Sequence, residues 1–209
     1  RRLAKQFHPD KSGNDPYGHP DVNWYNEIIR PYSLQHNANL DVSGGSKSVK
    51  YFVSGGVYSQ DGNTKDFSAG KDGVNTNYFY RRYDLRSNLD IQATQNFSLR
   101  LDMTARIGDI NAPYNQNVTG NLYNFSEYHP YSAPFLNPNG SYAYAYDTED
   151  KLPTLNAMLA TGGYSRQRRT DYNALLGFTE KLGFITKGLS LTGRLAYAGI
   201  EANSLNLAR

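Results

Sequence analysis

The residues best suited to bind a ligand lie in a tyrosine-rich stretch over residues 109–169. Aromatic faces beside amide side chains can stack on sugar rings or contact a peptide at low entropic cost. The alternative is that these tyrosines pack the stretch against itself or against a partner protein. Candidate contacts for a ligand or a partner are Tyr114, Tyr123, Tyr128, Tyr131, Tyr142 and Tyr144.

Other chemistry-bearing residues do not form a recognisable site. Residues 61–66 place oxygen ligands at calcium-like spacing but lack the downstream bidentate glutamate, which favours an ordinary turn. The four histidines include no His-x-x-x-His pair. Glu127 and His129 have no nucleophile beside them, so a solvated surface is the better interpretation. The sequence therefore predicts a protein that is not an enzyme and has no cofactor or bound metal.

Composition favours a β-rich protein. The 209 residues include 18 Tyr and 19 Gly, and such chains tend to form strands. The absence of Cys excludes disulfide scaffolds and thiolate zinc sites. With 22 basic and 19 acidic residues, the charge balance gives no indication of a nucleic-acid partner. No run approaches the ~20 apolar residues of a membrane helix, whereas strands of a membrane barrel are apolar on one face only.

Apolar and polar residues alternate with a period of two in six segments. In residues 97–108, apolar side chains such as Leu99 and Leu101 alternate with polar ones such as Arg100. Residues 82–91 alternate in the same way, and the short connection to the next segment predicts a hairpin. The other four predicted strands are 34–42, 49–57, 172–178 and 189–197.

The connections between these segments alternate in length. Short turns are predicted near 43–48, 93–96 and 181–188, and long external loops near 59–77 and 109–169. This pattern is typical of an up-and-down outer-membrane barrel with brief periplasmic turns. The charged face of the strands would then line a wet lumen, because a dry core does not accept it. The alternative is a soluble antiparallel sheet whose polar face meets bulk water.

Four stretches of the sequence match the sequence motifs of one known protein family, in the same order along the chain. They are residues 15–27, which include Trp24-Tyr25, then residues 36–46, 51–62 and 83–90. In these positions the chain resembles the SusC/RagA-type TonB-dependent transporters of the Bacteroidetes. Residues after 107 match that family only in their pattern of strands and loops, and not in sequence motifs.

The resemblance implies both a fold and a function. The fold is an all-β, antiparallel transmembrane β-barrel segment of about six strands from a larger, 22-stranded barrel with long external loops. Residues 1–33 would be an external loop segment, and residues 34–209 a partial TonB-dependent receptor barrel. The implied function is uptake of oligosaccharides or peptides across the outer membrane of a Gram-negative bacterium. The implied partners are a SusD-like surface lipoprotein, membrane lipid and lipopolysaccharide, and the TonB complex through parts of the protein not present here.

The ends of the chain suggest an excerpt. It begins at Arg1 without an initiator Met and ends at Arg209 without an aromatic terminal residue. At this density, about 22 strands need roughly 650 residues. The alternative is a complete small β-barrel, or a soluble β protein, with an adhesion or structural role.

A second alternative rests on residues 1–11, which resemble the helix end and His-Pro-Asp loop of J-domain co-chaperones. A J-domain needs an amphipathic helix after that loop. Here Gly13, Pro16 and Gly18 follow instead and break helices. The context therefore argues against a J-domain.

Two further groups of residues receive structural predictions. Trp24 and Tyr25 are expected to be packing anchors of the external segment or interfacial aromatics. Arg166, Arg168 and Arg169 are expected to form a solvated loop end, with a contact to anionic lipopolysaccharide as the alternative.

Overall fold

The framework of the molecule is one six-stranded antiparallel sheet whose strand order follows the chain. The computed structural model describes residues 17–18, 20–67, 75–114, 129–144 and 153–208. The predicted all-β fold and all six predicted strands are confirmed. The strands are β1 (Gln35–Gly45), β2 (Val49–Asp61), β3 (Phe79–Gln92), β4 (Phe97–Pro113), β5 (Gly163–Lys181) and β6 (Ser190–Ala208).

The strands are longer than the alternation predicts, at the end of the sheet that carries the long connections. β4 runs on to Pro113, and β5 begins at Gly163 rather than at Tyr172. Pairing between these two strands continues over the added length. The alternation of hydrophobicity ends earlier because charged residues, such as Asp109 and Arg168, replace apolar ones on the face that is apolar in mid-strand.

The register between strands aligns residues of the same kind. In the β3–β4 pair, Leu89 lies opposite Leu101 and Asp84 lies opposite Arg106. Directly opposite residues lie on the same face of an antiparallel sheet, so each face continues from strand to strand. We call one face the charged wall, which carries Arg82, Asp84, Arg100, Asp102, Arg106, Arg169 and Asp171. The other face is the apolar wall, which carries Val53, Leu85, Met103, Leu176 and Leu195.

Two short helices lie outside the sheet, α1 (Trp24–Ile28) and α2 (Leu155–Thr161). The side chain of Asn23 caps α1 by accepting a hydrogen bond from the backbone N–H of Asn26 at 3.1 Å. Helices of five and seven residues are too short to display a 3.6-residue period, so the sequence pattern did not predict them. Within the described ranges, no helix is long and apolar enough to cross a membrane.

The buried apolar residues of the described chain lie in the connecting segments rather than in the sheet. Ile28 of α1 packs with Leu155 of α2 in one cluster. Trp24 packs with Ala133 and Ala143 in a second cluster. We call the segments that meet here the loop cap, which comprises residues 20–33, 62–67, 129–144 and 153–162.

Candidate functional site

Ion pairs within and between strands organise the charged wall. Asp84 on β3 accepts a hydrogen bond from Arg82 Nε at 2.8 Å and another from Arg106 Nε on β4 at 2.6 Å. Nearer the short turns, Asp102 accepts a hydrogen bond from Arg100 Nε at 2.8 Å. Partly exposed pairs of this kind contribute only about 0–1 kcal/mol each to stability. Their main consequence is to place opposite charges beside one another across the wall.

Two open depressions lie along the charged wall. The one near the short turns has a volume of about 600 Å³. Cationic side chains outnumber acidic ones in its lining, which includes Lys47, Lys50, Arg100 and Arg194 against Asp90 and Asp102. The second, of about 460 Å³, is lined by Asp84, Arg86, Arg106 and Asp171 among others. Both depressions therefore offer hydrogen-bonding and charged groups to a polar solute.

At the strand tilt of a membrane barrel, the apolar wall would have the height of the apolar band of such a barrel. On β4 it runs from Phe97 to Ile107, and ten residues at about 3.4 Å each, on a strand tilted by ~40°, rise about 26 Å. The apolar band of a membrane barrel is ~25 Å tall. Toward the loop cap the wall ends at a charged row in which Arg81, Asp109 and Arg168 lie side by side.

The three arginines predicted as a loop end lie within β5. Arg166 donates two hydrogen bonds to the Asp109 carboxylate, from Nε at 3.0 Å and Nη2 at 2.6 Å. Arg169 lies on the charged wall and pairs with Asp171 at 2.9 Å. The prediction of a loop end is therefore wrong, whereas the predicted exposure to solvent is confirmed for all three side chains. Arg166 and Arg168 extend the face of the apolar wall, and Arg169 faces the other way.

Backbone hydrogen bonds join the segments of the loop cap. The N–H of Val22 donates to the carbonyl oxygen of Pro130 at 2.9 Å, and the N–H of Arg30 donates to that of Asn63 at 2.7 Å. Residues 20–33 thus contact both the β2–β3 connection and the β4–β5 connection. The loop cap is held together by the segment that precedes β1.

The calcium-like stretch at residues 61–66 takes part in these contacts. Asp61 pairs with Arg81 at 2.7 Å. The N–H of Lys65 donates to the carbonyl oxygen of Ile28 at 2.8 Å. In the part of the chain that the structure describes, no group of three or more His, Asp or Glu side chains could hold a metal ion.

The two aromatic residues at the start of α1 differ in environment. Trp24 is 3% exposed and lies 6.3 Å from Phe135, centroid to centroid, which confirms the predicted packing role. Tyr25 is 60% exposed. It is therefore not an equivalent packing anchor.

Four of the six candidate tyrosines fall within the described residues. Tyr123 and Tyr128 lie outside them, as do Glu127 and the His-Pro-Asp stretch at residues 8–10. Tyr114, directly after β4, is 37% exposed, and Tyr144 in the loop cap is 57% exposed. These two side chains are available to contact a ligand.

The remaining two tyrosines are more enclosed. The ring of Tyr131 stacks on His129, with centroids 5.1 Å apart. Tyr142 is half-buried, and burial raises the pKa of its hydroxyl. The structure therefore separates the candidates into exposed and packed tyrosines, a distinction that the sequence pattern could not make.

Comparison with known proteins gives one sequence relative and a consistent fold. No family model matches the chain. TonB-dependent receptor P3 from Formosa agariphila is 32% identical over 92 residues, which cover 44% of this chain and 8% of the receptor. A structure of the RagAB peptide importer in the 'closed-closed' state matches 93% of this chain and 21% of that chain, with TM-score 0.62 and 16% identity. A structure of the RagAB peptide transporter matches 90% and 20%, with TM-score 0.60 and 14% identity.

The chain spans 8% of the receptor and about a fifth of the RagAB chains. At these identities the RagAB structures establish the fold alone, and the sequence relative supplies the link to TonB-dependent receptors. The fold is therefore that of a six-stranded segment of the barrel in the RagAB structures, and the sequence match to a TonB-dependent receptor supports the predicted resemblance to the SusC/RagA type.

Proposed function

We propose that the chain forms part of the wall of an outer-membrane importer for oligosaccharides or peptides. The observation that carries the proposal is the separation of two walls on one sheet, with paired charges on one face and apolar side chains on the other. At the strand tilt of a membrane barrel, the apolar side chains of β4 would span about 26 Å. Such a sheet fits lipid on its apolar side and an aqueous lumen on its charged side. A protein core on the charged side is disfavoured, because it would bury charges such as Arg86 and Arg106.

The same proposal assigns an orientation to the segment. Membrane barrels have short periplasmic turns and long external loops. We therefore assign the loop cap and residues 1–33 to the cell surface, and residues 34–209 to a partial barrel. In this orientation the loop cap is accessible to a SusD-like surface lipoprotein.

Import in this proposal consists of binding and gated passage without covalent chemistry. The charged wall offers guanidinium donors and carboxylate acceptors to a polar cargo, and the exposed Tyr114 and Tyr144 offer aromatic surface. Energy comes from the TonB complex through parts of the receptor outside this chain. Because the RagAB structures are those of a peptide importer, peptides are the first cargo class to test.

Cysteine labelling of the two walls tests the carrying observation. The sequence contains no Cys, and neighbouring positions on β6 supply a matched pair. Leu195 lies on the apolar wall and Ala196 on the charged wall. In outer membranes that contain the full-length receptor, we expect a water-soluble maleimide to label Ala196→Cys and to spare Leu195→Cys. The proposal would be contradicted if Leu195→Cys were labelled as fast as Ala196→Cys, or if both were protected. As a control, both variants should be labelled at equal rates after denaturation.

Fractionation of the source cells tests the location. We expect peptides from this chain in a large outer-membrane band that shifts on heating. A soluble band near 23.5 kDa would contradict the importer and favour the alternative of a soluble β protein. Loss of labelled-peptide or labelled-oligosaccharide uptake on deletion of the gene would then identify the cargo class.

A further inference from the structure

The β5–β6 turn, residues 182–189, presents an apolar surface to solvent. Phe184 is 77% exposed and Ile185 is 63% exposed. The backbone of the turn is ordered, since the N–H of Leu182 donates to the carbonyl oxygen of Leu189 at 2.9 Å and the N–H of Ile185 donates to that of Leu182 at 2.9 Å. The two apolar side chains are therefore held outward by a hydrogen-bonded turn.

This turn is continuous with the apolar wall. Phe178 lies on that wall, where its ring contacts Phe97 with centroids 6.4 Å apart. Two residues further on, the opposite strand supplies Leu191 to the same face. Two residues beyond the Glu180–Leu191 pair lie Leu182 and Leu189. The backbone hydrogen bond of the turn joins these two residues. Apart from Glu180, which lies on the same face opposite Leu191, the apolar surface thus extends beyond the last β4–β5 pair into the turn.

The height of the turn fits the headgroup layer of a bilayer. Glu180 lies opposite Phe97, at the lower edge of the apolar band. Leu182 is two residues beyond, which adds about 5 Å along the membrane normal for a strand tilted by ~40°. The polar interface of a bilayer is roughly 5–7 Å thick on each side of the hydrocarbon core. Leu182 therefore lies within the headgroup layer, and Phe184 and Ile185, two and three residues beyond it, lie at the outer side of that layer, from which their side chains can reach back toward the lipid.

Charge around the turn complements a phospholipid surface. Lys181 and Lys187 flank the apolar pair, and ammonium groups are attracted to anionic lipids. The other two short turns lack such a tip: the β1–β2 turn is Ser46-Lys47-Ser48, and the β3–β4 turn exposes polar Gln95. An apolar tip between cations is characteristic of a segment that binds at a membrane interface.

We propose that the β5–β6 turn is an interfacial anchor. Phe184 and Ile185 insert into the headgroup layer of the adjacent phospholipid leaflet, and Lys187 lies at the lipid phosphates. The inference rests on the proposed membrane location of the apolar wall. Its partner is lipid rather than another protein.

Fluorescence quenching in vesicles tests this anchor. Phe184→Cys, and separately Ile185→Cys, is labelled with an environment-sensitive fluorophore in the full-length receptor, in vesicles of phosphatidylethanolamine and phosphatidylglycerol. Gln95→Cys on the β3–β4 turn is the matched control. We expect spin-labelled lipid to quench the fluorophore at 184 and 185, and aqueous iodide to quench it at 95. A heat-dependent gel shift verifies that each variant is inserted.

Two results would overturn the anchor. Iodide quenching at 184 and 185 as strong as at 95 would place the turn in water, and quenching by neither agent would place it against protein. A label at Leu195→Cys separates this failure from failure of the membrane location. Lipid quenching retained at 195 but absent at 184 and 185 rejects the anchor alone, whereas loss at all three positions rejects the lipid-facing wall itself.

Discussion

Trp24 donates its indole N–H to the backbone carbonyl oxygen of His129 at 3.1 Å, across 105 residues of sequence. The same ring is 3% exposed and packs against Phe135. One side chain therefore ties the segment before β1 to the β4–β5 connection. The described parts of the long connections form a packed unit with its own core, and this packing gives the loop cap a defined shape at one end of the sheet.

We expect Trp24→Ala to loosen the loop cap and to leave the sheet assembled. Replacement of a buried Trp by Ala costs ~3–5 kcal/mol, and here it also removes the hydrogen bond to His129. Limited proteolysis of the receptor in membranes should cleave residues 129–144 faster, while the heat-dependent gel shift of the barrel stays unchanged.

Tyr32→Ala is the control for this substitution. Tyr32 belongs to the same segment but is 72% exposed, so its removal should not accelerate cleavage. Equal acceleration by both substitutions would mean that Trp24 has no special role in holding the cap.

The strands were predictable because the alternation of apolar and polar residues in each central strand reflects the different environments of its two faces. Residues 97–107 alternate strictly, and their apolar positions in the sequence are the ones that form the apolar wall. The strand ends were not predictable in this way. Arg81, Asp109 and Arg168 occupy the apolar face beyond its edge, where backbone pairing continues although the hydrophobic pattern stops.

The loop cap could not be predicted because its contacts are distant in sequence and its helices are short. Ile28 meets Leu155 only after the chain has formed four strands. The one available signal was the apolar sequence Leu155-Asn-Ala-Met-Leu159 within a stretch otherwise rich in polar residues. The functional role of the tyrosines there remains a prediction, because exposure identifies available side chains but not their ligand.

Substitutions on the two walls should differ strongly in effect. Arg on the lipid-facing side of a membrane strand costs ~2–4 kcal/mol near mid-membrane. We therefore expect Leu101→Arg on the apolar wall to impair assembly, measured as loss of the heat-shifted band in outer membranes. Thr104→Arg on the charged wall should be tolerated, and equal effects at the two positions would contradict the assignment of faces.

Two glycines on the apolar wall provide a test of packing. A Cβ at Gly193 would overlap the Phe178 ring, whereas nothing lies within 4 Å of a Cβ at Gly55. We expect Gly193→Ala to displace that ring and to destabilise the barrel by ~1–3 kcal/mol, as overpacking does. Gly55→Ala should have little effect. Denaturant unfolding of the reconstituted receptor measures both, and a neutral Gly193→Ala would mean that the ring moves aside freely.

The loop cap should weaken at alkaline pH through Tyr142. Burial raises the pKa of this hydroxyl, so the folded cap holds the phenol proton more tightly than the unfolded segment does. The resulting stability is complete below the ordinary tyrosine pKa of ~10 and is lost as pH rises through the folded value. In the native receptor, proteolysis of the loop cap should accelerate as the pH rises from about 10 through the pKa of Tyr142 in the folded cap. Tyr142→Phe should remove this part of the pH dependence, and an unchanged profile would assign the loosening to other groups.

Substitution of an exposed tyrosine of the loop cap should affect cargo binding, whereas substitution of a packed tyrosine should affect the stability of the cap. Tyr144 is 57% exposed, so Tyr144→Ala removes aromatic surface without opening the core. We expect it to weaken cargo binding by the purified receptor and to leave cap proteolysis unchanged. Tyr142→Ala should accelerate proteolysis because it removes a half-buried ring. Unchanged affinity for Tyr144→Ala, measured by titration with peptides and with oligosaccharides, would remove Tyr144 from the candidate contacts and leave the charged wall as the proposed cargo surface.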